Sequence, residues 1–370
     1  MFRSYPKVDR ALDFFRLPKL CWTLARNPEC TRNLPGIVRD LWTWFFSYRT
    51  FPDNYLTCRL WEVPRSEWKY YYGSNYQTYQ RAALTRRVQP VRYAVLLDDK
   101  AVCERLCRLE CINMPRTWGV VTPGQDYRSN LRSWVHKSET DALIVKPLTG
   151  AGGRGVLAVR RRGTHIAACS GHGETPLDQF RLEEDCVVQE LVLQDPRLAA
   201  LSSHSLNTVR VVTFLTAEGT VLVLAALVRC GVGSSYVDNW SAGGICIGVD
   251  IDDGMLRGQG LDRQGRRYRQ HPTTGTGFQG FRIPEWARIV ELATVVQRLF
   301  PWYRLLGSDI GLDSNGKPIL IEVNDGPDLA GQEQNSGPLL RQDQALNAFG
   351  QEGLLINRFQ RELYRALNNG

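Results

Sequence analysis

The segment GSDIGLDSNGKPILIEVN, residues 307 to 324, limits what this chain can fold into more than any other stretch. Its Asn315-Gly316 pair sits between two apolar-rich runs, the strongest short-range signal for a β-hairpin, and predicts a two-residue turn. With that turn Ser314 pairs with Lys317, paired residue numbers sum to 631, and Asp309 faces Glu322. Carboxylates opposed across neighbouring strands, with Cβ atoms ~4.5–5.5 Å apart, repel and destabilise the sheet. A chain that keeps such a pair needs a compensating cation. Asn324, two residues beyond Glu322, lies on the same face and adds a third oxygen donor. Two carboxylates and an amide oxygen suit Mg²⁺, which takes few protein ligands and completes its shell with water and substrate phosphates. A longer loop would shift the register, and a pair of solvated carboxylates holding no ion is the bland alternative.

A second feature precedes the hairpin. In DALIVKPLTGAGGRGVLAVRR, Gly150, Gly152, Gly153 and Gly155 lie between two apolar runs. Glycines let consecutive backbone amides approach and cradle phosphate oxygens. A dinucleotide fingerprint or a P-loop requires a helix after the glycines, and a P-loop also requires Lys followed by Ser or Thr. Here Lys146 precedes the glycines and the loop runs into the strand-like VLAVRR, so both readings fail. What remains is a hairpin flap with Lys146 on the entering strand, placed to meet phosphate, and Arg154 at the tip; an ordinary flexible hairpin is the competing reading.

Composition bounds the rest. The 370 residues are 43% hydrophobic and 23% charged, which excludes disordered, collagenous and low-complexity classes. The longest strictly apolar run, Val221 to Val228, is far shorter than the ~20 residues of a membrane-spanning helix. The opening MFRSYPKVDR lacks the apolar core of a signal peptide, so the ten cysteines are expected in a reducing cytosol. The net charge of +8 is uneven: residues 1–95 hold 16 Lys and Arg against 7 Asp and Glu, the remainder 30 against 31. That front also carries 20 of the 37 aromatics. It reads as a helical region with an aromatic core and a solvated charged face; peripheral contact with the inner membrane face or a pathway enzyme is the functional alternative. Nucleic acid is not expected, because no binding module accompanies the charge.

The front shows short helical patterns broken by prolines. DDKAVCERLCRLECI predicts a helix capped by Asp98 or Asp99, with Cys103, Cys107 and Cys111 on one face as small core residues rather than a metal site. Strands follow: DALIVKP, GVLAVRR, DCVVQELV, TVRVVTFL, TVLVLAALV, GGICIGVDI and the two arms of the hairpin. Between them PEWARIVELATVVQRLF predicts a helix with Pro284 at its first position. The tail GQEGLLINRFQRELYRALNN predicts one amphipathic helix with Leu355, Phe359, Leu363 and Leu367 spaced by four. Hairpin connections outnumber helical crossovers, so the expected class is α+β with mainly antiparallel sheets. Expected regions are a basic helical 1–95, a first lobe 96–190, a second lobe 191–345 and a C-terminal helix 346–370.

These pieces, in this order, resemble the ATP-grasp superfamily over roughly residues 96–340, and within it the sugar-transfer-associated ATP-grasp proteins of bacterial polysaccharide and related biosynthetic clusters. DDKAVCERL, VKPLTGAGGRG, VVQELV, SLNTVRVVTF, VDNWSAGGI, HPTTGTGFQGFRIPEW and SDIGL with IEVN carry the likeness. It implies two α+β lobes closing on ATP, with Mg²⁺ (Mn²⁺ as a substitute). Lys100 and Lys146 would neutralise α- and β-phosphate oxygens under the loop of Gly150, Gly152, Gly153 and Arg154. Backbone around Gln189, Glu190, Leu191 and Val192 would read adenine, and Asp195 would take the ribose hydroxyls. Arg210 would stabilise the transferring γ-phosphoryl, with Asn239 and Gly243-Gly244 beside it. Asp309, Glu322 and Asn324 would hold the metal. His271 reads as a loop histidine rather than a substrate contact. The implied activity is carboxylate–amine ligation through an acylphosphate, on small-molecule acid and amine substrates in a cytoplasmic biosynthetic pathway. A small-molecule kinase and a non-catalytic adaptor are the alternatives.

Overall fold

The computed structural model describes residues 7–49, 51–74, 78–150, 152–170, 173–233 and 243–369. Among them, strands gather into two sheets, antiparallel throughout. The first holds β1 (Thr117–Val121), β2 (Ala142–Pro147), β3 (Leu157–Arg162), β4 (His165–Ser170), β5 (Gly173–Pro176) and β6 (Cys186–Glu190), in spatial order β1-β6-β2-β3-β4-β5. The second holds β7 (Thr208–Leu215), β8 (Val221–Cys230), β9 (Ile245–Val249), β10 (Leu256–Leu261), β11 (Arg267–Tyr268), β12 (Leu305–Leu312) and β13 (Pro318–Asn324), in order β11-β10-β9-β8-β7-β12-β13. The α+β expectation holds. Strand β5 reads GETP and is exposed along its length, so no apolar alternation announces it.

Alternation along the strands assigns the faces. On β2, Leu143 and Val145 pack with Leu131 and Val135 of the helix Tyr127–Lys137. On β7, Val209 and Val211 pack against Ile289, Ala293 and Val296 of the helix Trp286–Leu299. Val212 and Phe214, on the opposite side of β7, meet Leu346 and Phe349 of the helix Asp343–Gln351 and Tyr72, Leu84 and Val88 from earlier in the chain. The second sheet is therefore covered on both faces at one end of its strands. A separate aromatic core of Trp44, Phe45, Tyr48, Tyr55, Trp61 and Trp68 holds the front. Among the described residues no helix is long and apolar enough to cross a membrane.

The hairpin departs from its expected turn. Asp313 N–H donates to Lys317 O at 3.0 Å and Gly316 N–H to Asp313 O at 2.8 Å, so Ser314, Asn315 and Gly316 form a three-residue loop. Gly316 sits at φ +74°, the left-handed conformation this loop type requires. Pairs beside the turn are Leu312 with Pro318, Gly311 with Ile319 and Ile310 with Leu320, one out of the expected register. A bulge at Ile321 then restores it, and Asp309 faces Glu322 after all.

Three smaller expectations are corrected. Pro284 precedes the helix Trp286–Leu299 rather than opening it, because Glu285 takes the cap position in the left-handed region. The tail is two helices, Asp343–Gln351 and Arg358–Asn369, with Leu355 buried in the connection between them. Cys103 and Cys107 are buried as expected, but Cys111 is exposed, since the helix Lys100–Leu109 ends before it.

Candidate functional site

Between the two sheets lies a cleft of about 280 Å³. The alternation that buries Leu143 and Val145 turns Ile144 and Lys146 of β2 into it, and Arg160 of β3 joins them. The β2–β3 connection covers this side, with Gly150, Gly153 and Arg154 on the wall. Gly150, Gly152, Gly153 and Gly155 all have positive φ. At Gly155 the requirement is also spatial, since a Cβ there would lie 2.7 Å from Pro147 Cγ. The loop is the flap expected from the sequence, folded back on the strand it leaves.

Asp99 caps the helix Lys100–Leu109 by accepting from the amides of Ala101 (2.9 Å) and Val102 (3.0 Å). This fixes Lys100 at the helix start, where its Nζ donates to Gly150 O at 2.9 Å and lies 3.5 Å from Glu322 Oε1. One lysine thus bridges the flap and the second lobe.

On the second sheet, Glu322, Asp309, Arg210 and Leu227 form a row across β13, β12, β7 and β8. Asp309 is buried, and Arg210 grips it through Nε to Oδ1 and Nη2 to Oδ2, both 2.6 Å. Arg229, near the end of β8, donates to Asp309 Oδ2 at 2.8 Å and to Thr208 Oγ1 at 2.9 Å. Asn324 Nδ2 donates to the same Oδ2 at 3.2 Å. Burial alone would push the Asp309 carboxyl up; the charges of Arg210 and Arg229 and the hydrogen bonds from Arg210 and Asn324 hold it below the usual range. The opposed carboxylates are therefore compensated by the protein itself, with two guanidinium groups on Asp309 and Lys100 beside Glu322. The apposition alone does not demand a metal.

The donor set still leaves room for one. Among the described residues Asp309 Oδ2 accepts three hydrogen bonds, whereas Oδ1 accepts one from Arg210. Glu322 is partly exposed to the cleft, with only Lys100 as an ion-pair partner among the described residues. Among those residues no three His, Cys, Asp or Glu side chains cluster. Glu322, the Asn324 amide oxygen and one oxygen of Asp309 make a sparse oxygen set of the kind Mg²⁺ accepts when phosphates and water supply the remainder.

Where β6 crosses to the second lobe, Gln189, Glu190, Leu191 and Val192 line the cleft. The Gln189 side chain is spent on Glu104 and Thr117, and Glu190 accepts from Trp118 Nε1 (2.8 Å) and Thr140 Oγ1 (3.2 Å). Both side chains are thus engaged with protein partners, while the main chain of these residues lines the cleft. Asp195 is corrected: it is buried away from the cleft wall, caps the short helix Pro196–Ala199 and pairs with Arg197 at 2.8 Å. Asn239 lies outside the described residues, while Gly243 and Gly244 lead into β9. His271 is fully buried; its Nε2 meets Gly231 O at 2.9 Å and its Nδ1 accepts from Thr273 and Thr274 amides, so it fixes a loop. Burial pushes its pKa down. The residue sequence reasoning missed is Arg229, whose signal was an arginine inside the apolar strand VLVLAALVRC: a buried charge there needs a partner.

The chain matches the sugar-transfer associated ATP-grasp family over residues 79–348 and belongs to it. No curated protein matches it in sequence. Solved structures it resembles include the ATP-grasp ligase PsnB complexed with minimal precursor, Mg and ADP (15% identity over 70% of this chain and 61% of that one, TM-score 0.38). N5-carboxyaminoimidazole ribonucleotide synthetase from Thermotoga maritima gives 13% identity over 68% and 54%, TM-score 0.37. D-alanine-D-alanine ligase from Coxiella burnetii gives 11% over 77% and 65%, TM-score 0.39. The chain spans less than two thirds of each of these three solved chains.

Proposed function

We propose that the cleft binds ATP with Mg²⁺ and that the protein is a carboxylate–amine ligase working through an acylphosphate. The observation that carries this reading is the convergence of Lys100, Lys146, Arg229 and the positive-φ glycine flap on Glu322 and Asp309 around one cleft, with Arg210 behind them gripping Asp309. Phosphoryl transfer needs little covalent help from protein; it needs alignment and neutralised charge. Lys100 and Lys146 supply positive charge at the phosphates, and the flap supplies amides. Glu322, with Asn324 and one oxygen of Asp309, would hold Mg²⁺, which would supply further neutralisation of phosphate charge. Arg229, on the cleft wall, and Arg210, next to it on Asp309, are held in place by that carboxylate, which avoids reorganisation when charge develops.

In the reaction so read, a substrate carboxylate oxygen bonds to the γ-phosphorus as the bond to the bridging oxygen of ADP breaks. An amine then attacks the acyl carbon, the carbon–oxygen bond to phosphate breaks, and the amine loses its proton to solvent. Incubation with MgATP and pools of acids and amines tests this. The expected result is ADP and inorganic phosphate in equal amounts with a new amide. A phosphoester product, or no magnesium-dependent nucleotide binding, overturns it.

A further inference from the structure

The helix Lys7–Ala25 buries Asp13, Leu17 and Leu24, which leaves Phe15, Lys19 and Trp22 on the outward stripe, with Arg26 one turn further. Phe15 is 75% and Trp22 57% exposed. The helix Leu34–Tyr48 buries Ile37, Leu41, Trp44 and Phe45 and turns Arg39, Trp42 and Phe46 outward, with Arg49 at its cap. Phe46 is 55% exposed and stacks on Trp42 at 5.3 Å. Phe14 joins the helices, meeting Trp42 at 5.3 Å and Phe15 at 5.8 Å. The result is an aromatic strip of Phe15, Phe14, Trp42 and Phe46 across two helices, with Trp22 exposed on the same face of the first.

Among the described side chains, unpaired charge around the strip has a single sign. Asp13 is buried against Arg16 at 2.9 Å, Asp40 is buried between Arg32 and Arg65, and Glu29 pairs with Arg59 at 3.2 Å. Among the described residues Lys19, Arg26, Arg39 and Arg49 form no ion pair with protein, and Arg26 lies 4.2 Å over the Trp22 ring. Aromatic rings that keep one edge wet, alternating with uncompensated cations, suit the headgroup level of a bilayer, where each Lys or Arg near an anionic surface contributes about 1 kcal/mol.

We propose that this face seats the protein on an anionic lipid surface, lying in its plane. The test is sedimentation of the full chain with vesicles of phosphatidylcholine alone or mixed with phosphatidylglycerol. Binding is expected to the mixed vesicles only and to weaken as salt rises. A Lys19→Glu/Arg39→Glu/Arg49→Glu variant should lose about 100-fold in affinity. A Phe15→Ser/Trp22→Ser/Phe46→Ser variant should lose binding while its circular dichroism and ATP binding stay unchanged. Wild-type protein that ignores anionic vesicles, or binds them without salt dependence, sinks the proposal whatever the variants do.

Discussion

The wall formed by β7, β12 and β13 and the glycine flap between β2 and β3 face the same cleft, yet opposite means hold them. On the wall, Asp309 is locked by Arg210, Arg229 and Asn324 in a buried network. In the flap, Gly150, Gly152, Gly153 and Gly155 take backbone conformations that side chains resist, and Lys100 reaches across to Gly150. One side is held by a buried charge network; the other is shaped by glycine, with Lys100 and Asp185 bonding its first residues.

The largest effect that separates the two should come from Asp309→Ala, which strands two guanidinium groups. A loss of about 3–5 kcal/mol in denaturant unfolding is expected, and a variant as stable as the parent breaks the contrast. Glu322→Gln sits at the edge of the same row but is partly solvated. Its stability should change by under about 1 kcal/mol, whereas magnesium-dependent ADP release should fall by more than the about 10–100-fold seen when only the partners of a metal ligand are altered. On the flap, Gly155→Ala combines φ +74° with a Cβ 2.7 Å from Pro147. The backbone strain costs about 1–2 kcal/mol, and the expected reading is a raised KM for ATP with the wall's amide exchange unchanged.

The smallest effect is acidic. Asp309 has a depressed folded-state pKa, so its stabilisation is complete above its unfolded value of about 3.9 and disappears as pH falls through the lower folded value. Acid titration should therefore loosen the wall only below about pH 4. Asp309→Asn should flatten that limb, and an unchanged acid limb in this variant counts against the network.

Much of this site was legible in advance. A helix cap at Asp98 or Asp99, Lys146 facing the cleft, the hairpin flap and the apposition of Asp309 with Glu322 each follow from spacing of a few residues, and the structure chose Asp99 for the cap. The last came out right for an incomplete reason: a three-residue turn displaced the register and the bulge at Ile321 returned it. Asp195 misled because an acid just past the crossing strand looks the same whether it meets a ligand or caps a helix, and the neighbouring Arg197 decided it. In the front, composition counted aromatics without sorting Trp44 and Trp68, which are core, from Phe15 and Trp22, which are not.

Periodicity, caps and turn residues act within a few positions of each other, so the chain's own order of residues specified its antiparallel α+β lobes, its flap and its acidic hairpin. The partners of Asp309 were another matter. Arg210 and Arg229 stand 99 and 80 residues away in sequence, and they meet it only because β12 lies beside β7 and β7 beside β8. Which charge neutralises a buried carboxylate depends on strand neighbours and low-dielectric proximity, and no local pattern encodes either.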